Sequence, residues 1–259
     1  MKKGLILLLS MVLAAGLLAA CGSSEKTSKA ASDKKVLVMG TSADYAPFEY
    51  IETEKSDEII GFDVDLAKAI TSKLGYKMEV KDMDFNGLVQ ALKSGQADFV
   101  LAGMTPTEKR KKNVDFSDIY YTAQFMIVSK KDSGISKLED LKGKTVGVQL
   151  GSIQADKAKE INEELPIKIE DRNRIQDLIQ EIKSGRFDAA IIEDTVAKGY
   201  FTKETELEGF TLNDDPEAGS AIAFPKDSDL TEKFNQELKK MKENGELDEL
   251  IIKWFGDQQ

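Results

Sequence analysis

From Val36 onward, compact apolar runs alternate with stretches whose apolar residues recur about every four positions. Val36-Leu37-Val38-Met39-Gly40 is short, apolar and partly β-branched, which predicts a buried strand. Thr41 to Pro47 reads as a loop, because Pro47 fixes its own φ and biases Ala46 away from the helical region. Phe62, Leu66, Ile70 and Leu74 fall on one face and predict a helix opened by Gly61-Phe62-Asp63 and stopped at Gly75. Asp63 and Asp65 suit the positive end of that helix. A strand from Lys77 to Lys81, a helix from Asn86 to Ser94 and a strand from Ala97 to Leu101 complete a βαβαβ order. That order predicts a mostly parallel sheet flanked by helices.

A second series starts beyond Tyr121. Strands are expected at Phe125 to Val128, Thr145 to Val148, Ile167 to Glu170, Phe187 to Ile192 and Ala221 to Phe224. Helices are expected from Ser136 to Leu141, from Gly151-Ser152-Ile153-Gln154 onward, from Ile175 to Ser184 and from Asp194. Two more close the chain, the last carrying Leu247, Leu250, Ile251 and Trp254. A local repeat links the series: Leu88-Val89-Gln90-Ala91-Leu92-Lys93-Ser94-Gly95-Gln96-Ala97-Asp98 matches Leu178-Ile179-Gln180-Glu181-Ile182-Lys183-Ser184-Gly185-Arg186-Phe187-Asp188. A shared turn would explain the Lys-Ser-Gly alone, but the surrounding βα order repeats too. Two similar α/β lobes are therefore expected, 36–121 plus 218–259 and 122–217, with hinge strands near Tyr121 to Gln124 and Leu212 to Glu217.

In open parallel sheets, ligands sit beyond the carboxyl ends of the strands. The matched strands end near Ala102-Gly103 and Ile192-Glu193, so Gly103, Thr105 and Arg110 are expected to face Glu193 across a cleft. A cation and an anion on opposite walls suit a zwitterion. The loop from Ser42 to Phe48 opens at the same edge and brings Tyr45, and Gly151 to Ile153 offers backbone N–H groups to an anion. Arg110 is one of four arginines, with Arg172, Arg174 and Arg186. Its planar fork can grip a carboxylate with two parallel hydrogen bonds. By itself it reads equally as one more cation in the solvated run Lys109-Arg110-Lys111-Lys112.

Composition narrows the chemistry. The chain has no histidine and one cysteine, which excludes Ser-His-Asp and Cys-His catalysis and any His- or Cys-based metal site; no cofactor is expected. A net charge of −10 speaks against nucleic acid as a partner. Ahead of Val36 the pattern changes. Lys2 and Lys3 precede an apolar stretch from Gly4 to Leu18, too short for a spanning helix of about 20 residues. Leu18-Ala19-Ala20-Cys21 resembles a bacterial lipobox, making 1–20 a lipoprotein signal peptide and Cys21 the lipidated residue. The Ser- and Lys-rich stretch 21–35 reads as a tether.

Several ordered motifs carry a family resemblance. They are Gly40-Thr41-Ser42-Ala43-Asp44-Tyr45-Ala46-Pro47-Phe48-Glu49, Gly61-Phe62-Asp63-Val64-Asp65-Leu66, and Ala102-Gly103-Met104-Thr105 with Glu108-Lys109-Arg110. Val114-Asp115-Phe116-Ser117, Gly143-Lys144-Thr145-Val146-Gly147-Val148 and Lys253-Trp254-Phe255-Gly256 fit as well. Together they resemble the extracellular solute-binding proteins of polar amino-acid ABC importers, over essentially everything after the tether. The resemblance implies a two-lobed periplasmic-binding-protein-like fold that closes over one free L-amino acid. It also implies a monomer that delivers its ligand to an ABC permease. With the lipid on Cys21, the place expected is the outer face of a bacterial cell membrane, of Gram-positive type.

By the same resemblance, Arg110 holds the ligand α-carboxylate with the backbone of Thr105 and of Ser152-Ile153. Glu193 stands where the family usually has an Asp for the α-amino group, helped by Gly103 and Thr105; Ala102 belongs to the same ligand site, and Tyr45 and Phe85 pack on the ligand side chain. Many binders of basic amino acids carry an acid at the place of Ser42, although some arginine binders have a small polar residue there. Asp44, Glu49, Gln149 and Asp156 are further candidates for the side-chain end, and Asp194 competes with Glu193 for the amine. Arginine or another basic ligand is favoured, then glutamine. The alternative is a cyclohexadienyl dehydratase-like enzyme on the same fold, with Glu193 as its acid.

Overall fold

The computed structural model describes residues 35–212 and 218–256. The signal peptide, Cys21, almost all of the tether and most of the second expected hinge, 213–217, lie outside the described residues.

Two five-stranded sheets organise the described chain. The first runs, from edge to edge, Lys77–Asp82, Val36–Thr41, Phe99–Val100, Ala223–Pro225 and Val114–Phe116. The second runs Lys168–Arg172, Thr145–Gln149, Ala189–Glu193, Phe125–Lys130 and Leu207–Thr211. In each, the first three strands are parallel and the fourth is antiparallel to both neighbours. The sheets are thus mixed, not simply parallel, and the reversed strand has the same origin in both lobes. Phe125–Lys130 and Ala223–Pro225 are the strands by which the chain enters a lobe from the other one. Just before each lies one arm of a two-stranded ribbon, Tyr121–Ala123 against Ala218–Ser220.

The repeat read from the sequence is more than a common turn. Gly95 and Gly185 close their helices with φ of 74° and 75°, a conformation natural to glycine. Three residues later Asp98 and Asp188 perform one task in two places. Asp98 Oδ2 accepts from Val38 N at 2.8 Å, and Asp188 Oδ2 accepts from Thr145 N at 2.8 Å. Each carboxylate ties its own strand to the parallel neighbour at the sheet's second position, so the shared residues set strand order as well as a bend.

The helix Phe62–Lys73 buries Phe62, Leu66 and Ile70 as the four-residue spacing requires. Phe62 meets Phe255 at 5.0 Å between ring centroids, and Phe255 stacks on Tyr121 at 4.4 Å, next to the ribbon. The C-terminal motif is explained by the same contact: Lys253 and Trp254 donate to Asp65 Oδ2 at 2.6 and 2.9 Å. Gly61, ahead of this helix, has φ 137° and ψ 178°, and a Cβ there would stand 2.1 Å from the Phe48 carbonyl oxygen. Gly61→Ala is expected to lower stability by at least ~2 kcal/mol, read as a fall in the urea midpoint with an unchanged slope.

The loop expected from Thr41 to Pro47 contains a two-residue strand, Asp44–Tyr45, paired with Glu49–Ile51, which pairs in turn with Ile59–Ile60. Such short strands carry no readable period. The expected helices at Asn86 and Ser136 begin as, or consist of, single 3₁₀ turns, Phe85–Gly87 and Leu138–Leu141. Among the described residues no helix is long and apolar enough to cross a membrane.

Candidate functional site

The carboxyl ends of both sheets point at one cleft, and Arg110 reaches into it from the four-residue helix Glu108–Lys111. Thr107 caps that helix by accepting from Arg110 N at 3.3 Å. The guanidinium donates through Nη1 to the Thr105 carbonyl at 2.7 Å and through Nη2 to the Gly151 carbonyl of the second lobe at 2.9 Å. Its Cζ lies 5.2 Å from the Phe85 ring centroid, a cation–π contact that fixes the plane of the fork. Burial pulls the guanidinium down to about 10, against the pull of Asp156, so it remains a cation at neutral pH. Facing it, the helix Ile153–Glu164 starts at Ser152, whose Oγ accepts from Ala155 N and donates to the Gln149 carbonyl. The N–H groups of Ile153 and Gln154 lie in the first turn, where no intrahelical acceptor exists. A guanidinium and a helix N-terminus together make a carboxylate site.

One acid, Glu193, lines the other wall, and two more buried acids lie near it. Glu193 closes the strand Ala189–Glu193 and is buried. Its Oε2 accepts from the Tyr45 hydroxyl at 3.2 Å across the cleft, and its Oε1 is buried without a hydrogen-bond partner. Burial pushes this carboxyl up to about 8; the Tyr45 bond opposes the shift and Asp194 and Asp63 add to it. Asp63 Oδ2 accepts from Gly103 N at 3.0 Å and from the Tyr120 hydroxyl at 2.8 Å. Burial raises Asp63 to about 6, with those two donors and Glu49 holding it back. Glu49 is fully buried, and burial together with Asp63 holds it well above the usual carboxylate range. Among the described residues no N–H or hydroxyl reaches its oxygens or Asp63 Oδ1.

The lobes meet over a cavity of about 10 Å³ lined by Tyr45, Phe85, Ala102, Gly103, Thr105, Arg110, Gln149, Ser152, Ile153, Gln154 and Glu193. Every residue expected at the ligand from sequence lines it except Ser42. Ser42 is buried beside the cleft, where its Oγ donates to Asp44 Oδ1 at 3.0 Å. Of the other candidates for a side-chain contact, only Gln149 lines the cavity; its amide donates to the Asn173 carbonyl at 3.1 Å. Asp156 is exposed, pairs with Lys159 at 2.7 Å and lines a separate recess next to Arg110. Asp44 is turned to the backbone of Ile175, and Glu49 to Asp63. Gln154 was not singled out from the sequence; a polar residue in the first turn of a helix expected at the cleft was its signal, and the structure buries it. Gly103 gives its N–H to Asp63, so only its carbonyl is left to accept from an ammonium group.

Residues 37–257 match the bacterial extracellular solute-binding proteins, family 3. The chain belongs to this family. It is 64% identical over 257 residues to the arginine-binding extracellular protein ArtP of Bacillus subtilis (strain 168), covering 98% of both chains. It is 43% identical to the solved structure of an ancestral arginine-binding protein bound to arginine, covering 86% of this chain and 99% of that one, with a TM-score of 0.79. The solved structure of an ancestral arginine-binding protein bound to glutamine gives 42% identity, the same coverage and a TM-score of 0.79. The two-lobed fold is therefore that of a solute-binding protein, and the dehydratase alternative is set aside in favour of binding without chemistry.

In this solute-binding protein, Glu193 and Asp194 point in different directions. Asp194 Oδ1 accepts from Gln124 N at 3.1 Å, and its Oδ2 pairs with Lys198 at 2.7 Å. Asp194 lines a different cavity, of about 730 Å³, beside the ribbon. Glu193 lines the cleft.

Proposed function

We propose that this chain is the lipid-anchored substrate-binding component of an amino-acid ABC importer, and that it binds one L-amino acid, arginine by preference, between its lobes. The observation that carries the reading is the opposition of Arg110 and the unpartnered Oε1 of Glu193 in one cavity at the ends of matched strands. That pair suits the α-carboxylate and α-ammonium that all amino acids share. Arg110 takes the carboxylate with the backbone of Thr105, Ser152 and Ile153. Glu193 takes the ammonium with the carbonyl of Gly103, and Tyr45 and Phe85 pack along the side chain.

A cavity of about 10 Å³ has room for about one water molecule, so the ligand enters only when the lobes part. It then favours closure by as much as it binds the closed arrangement better than the open one. Relatives that bind arginine support arginine as ligand, and the glutamine-bound ancestral protein supports glutamine as the next choice. Calorimetric titration with L-arginine, L-lysine, L-glutamine and agmatine tests the reading. Arginine should bind most tightly, and agmatine, which lacks the carboxylate, should be weaker by at least ~100-fold, the worth of two charge-assisted hydrogen bonds. Equal affinity for agmatine would remove Arg110 from the role given to it.

The anchor rests on Leu18-Ala19-Ala20-Cys21. Cys21→Ser should move the protein from the membrane fraction to the medium in a fractionation followed by immunoblot.

A further inference from the structure

Beside the cleft, but outside the cavity, Arg174 of the second lobe reaches acids of the first. Its guanidinium grips Asp82 with two parallel bonds, Nη1 to Oδ1 at 2.8 Å and Nη2 to Oδ2 at 3.1 Å. Nε donates to Asp84 Oδ1 at 3.0 Å, Nη1 lies 3.5 Å from Ser42 Oγ, and Asp44 Oδ1 is 3.7 Å away. The flanking residues bridge the same gap. Asn173 donates to Asp84 Oδ2 at 3.0 Å, and Ile175 N donates to Asp44 Oδ2. Ile175 opens the helix Ile175–Ser184, and the side chain of its N-cap, Arg174, makes no capping bond. Asp44 therefore supplies, from the opposite lobe, the acceptor that a helix start needs.

We infer that Arg174, with Asp82 and Asp84 and the Asp44-capped helix start, is a latch that holds the two lobes closed and slows ligand release without touching the ligand. The inference rests on the reading that the chain closes over its ligand. Its geometry fits that role in three ways. The bidentate bond forms only when Arg174 and Asp82 are aligned, so parting of the lobes breaks it completely instead of weakening it gradually. Asp82 is already fixed by Ala43 N at 2.8 Å, so the acid waits in place for the guanidinium. Gln149 couples the latch to the cavity, since it lines the cavity and also holds the carbonyl of Asn173, next to Arg174. Arg174 and Asp82 have side-chain exposures of 25% and 37%, so salt reaches the latch.

The latch is tested with Arg174→Ala, Asp82→Asn and the double variant, each followed by stopped-flow arginine binding and release. The release rate should rise about 10-fold in Arg174→Ala, with the association rate changed by less than about threefold. Asp82→Asn should match it, and the double variant should add little, as a shared interaction requires. Raising salt should speed release from the unaltered protein and not from Arg174→Ala. A release rate within twofold of the unaltered protein, or fully additive single effects, would overturn the latch.

Spin-label distances between the lobes, measured with no amino acid added, separate this from the function itself. Arg174→Ala should shift the distances toward wider separations; an unchanged distribution would count against the latch even if arginine binds. If no amino acid binds the unaltered protein, the functional reading fails, while the distance comparison still decides the latch.

Discussion

Arg110→Ala should abolish amino-acid binding while leaving the fold intact. The residue sits on a four-residue helix, and its side chain touches two carbonyls and one aromatic face, so the sheets lose nothing they depend on. The ligand loses more. Hydrogen bonds to a charged group contribute about 1.5–3 kcal/mol each, and two of them correspond to roughly a 10²- to 10⁴-fold rise in Kd. Arg110→Lys should recover little, because an ammonium cannot reproduce the planar fork that the Thr105 and Gly151 carbonyls hold in place. Calorimetry gives the affinity and far-ultraviolet circular dichroism the fold. Near-normal affinity in the alanine variant would mean that the carboxylate is held elsewhere, by the helix start at Ser152 alone.

The second large effect concerns Glu193. Burial raises this carboxyl to about 8, so at pH 7 it is mostly protonated before ligand arrives. An α-ammonium bound at Oε1 favours the carboxylate, and binding must expel the proton. Arginine binding at pH 7 should therefore release close to one proton, seen as a dependence of the calorimetric heat on buffer ionisation enthalpy. Affinity should rise about tenfold per pH unit on the acid side of about 8 and level off above it. Glu193→Gln should weaken binding by at least ~100-fold and remove the proton release.

The stability of the protein without ligand follows the same linkage. The folded-state value lies above the unfolded one near 4.3, so between these values the folded state holds more protons. Stability therefore falls as pH rises from about 4.5 to 8, and Asp63, raised to about 6, adds a slope of the same sign below that pH. Glu193→Gln should flatten the upper part of this dependence in urea unfolding at pH 5, 6.5 and 8. An unchanged slope would mean that Glu193 is not the buried group that titrates there.

How much of this was legible in the sequence depended on the range over which each feature is determined. The matched turns at Gly95 and Gly185 were legible because a left-handed helix end is a local demand on one residue. Arg110, Glu193 and their neighbours were legible because strand ends in a twisted sheet all open on one side, so naming the ends names the cleft. Ser42 follows a strand end by one residue, and its side chain turns to Asp44 rather than to the cavity. That turn is set by Arg174 and Ile175 in the other lobe, more than a hundred positions away. The burial of Asp63 was equally invisible. An acid in the first turn of a helix looks solvated, and only the packing of Gly103 and Tyr120 against it shows otherwise. The reversed strands Phe125–Lys130 and Ala223–Pro225 carry the same apolar pattern as parallel ones, and their direction follows from the crossings between lobes.

The most direct test of the central claim, that this protein closes over a free amino acid and prefers arginine, is a thermal-shift panel over the twenty amino acids. Ligand at 100 times its Kd adds about 2.7 kcal/mol, which for a domain of this size raises Tm by about 5–10 °C. Arginine should give the largest shift, lysine and glutamine smaller ones, and Arg110→Ala none. No shift with any amino acid, or the same arginine shift in Arg110→Ala, would contradict the account.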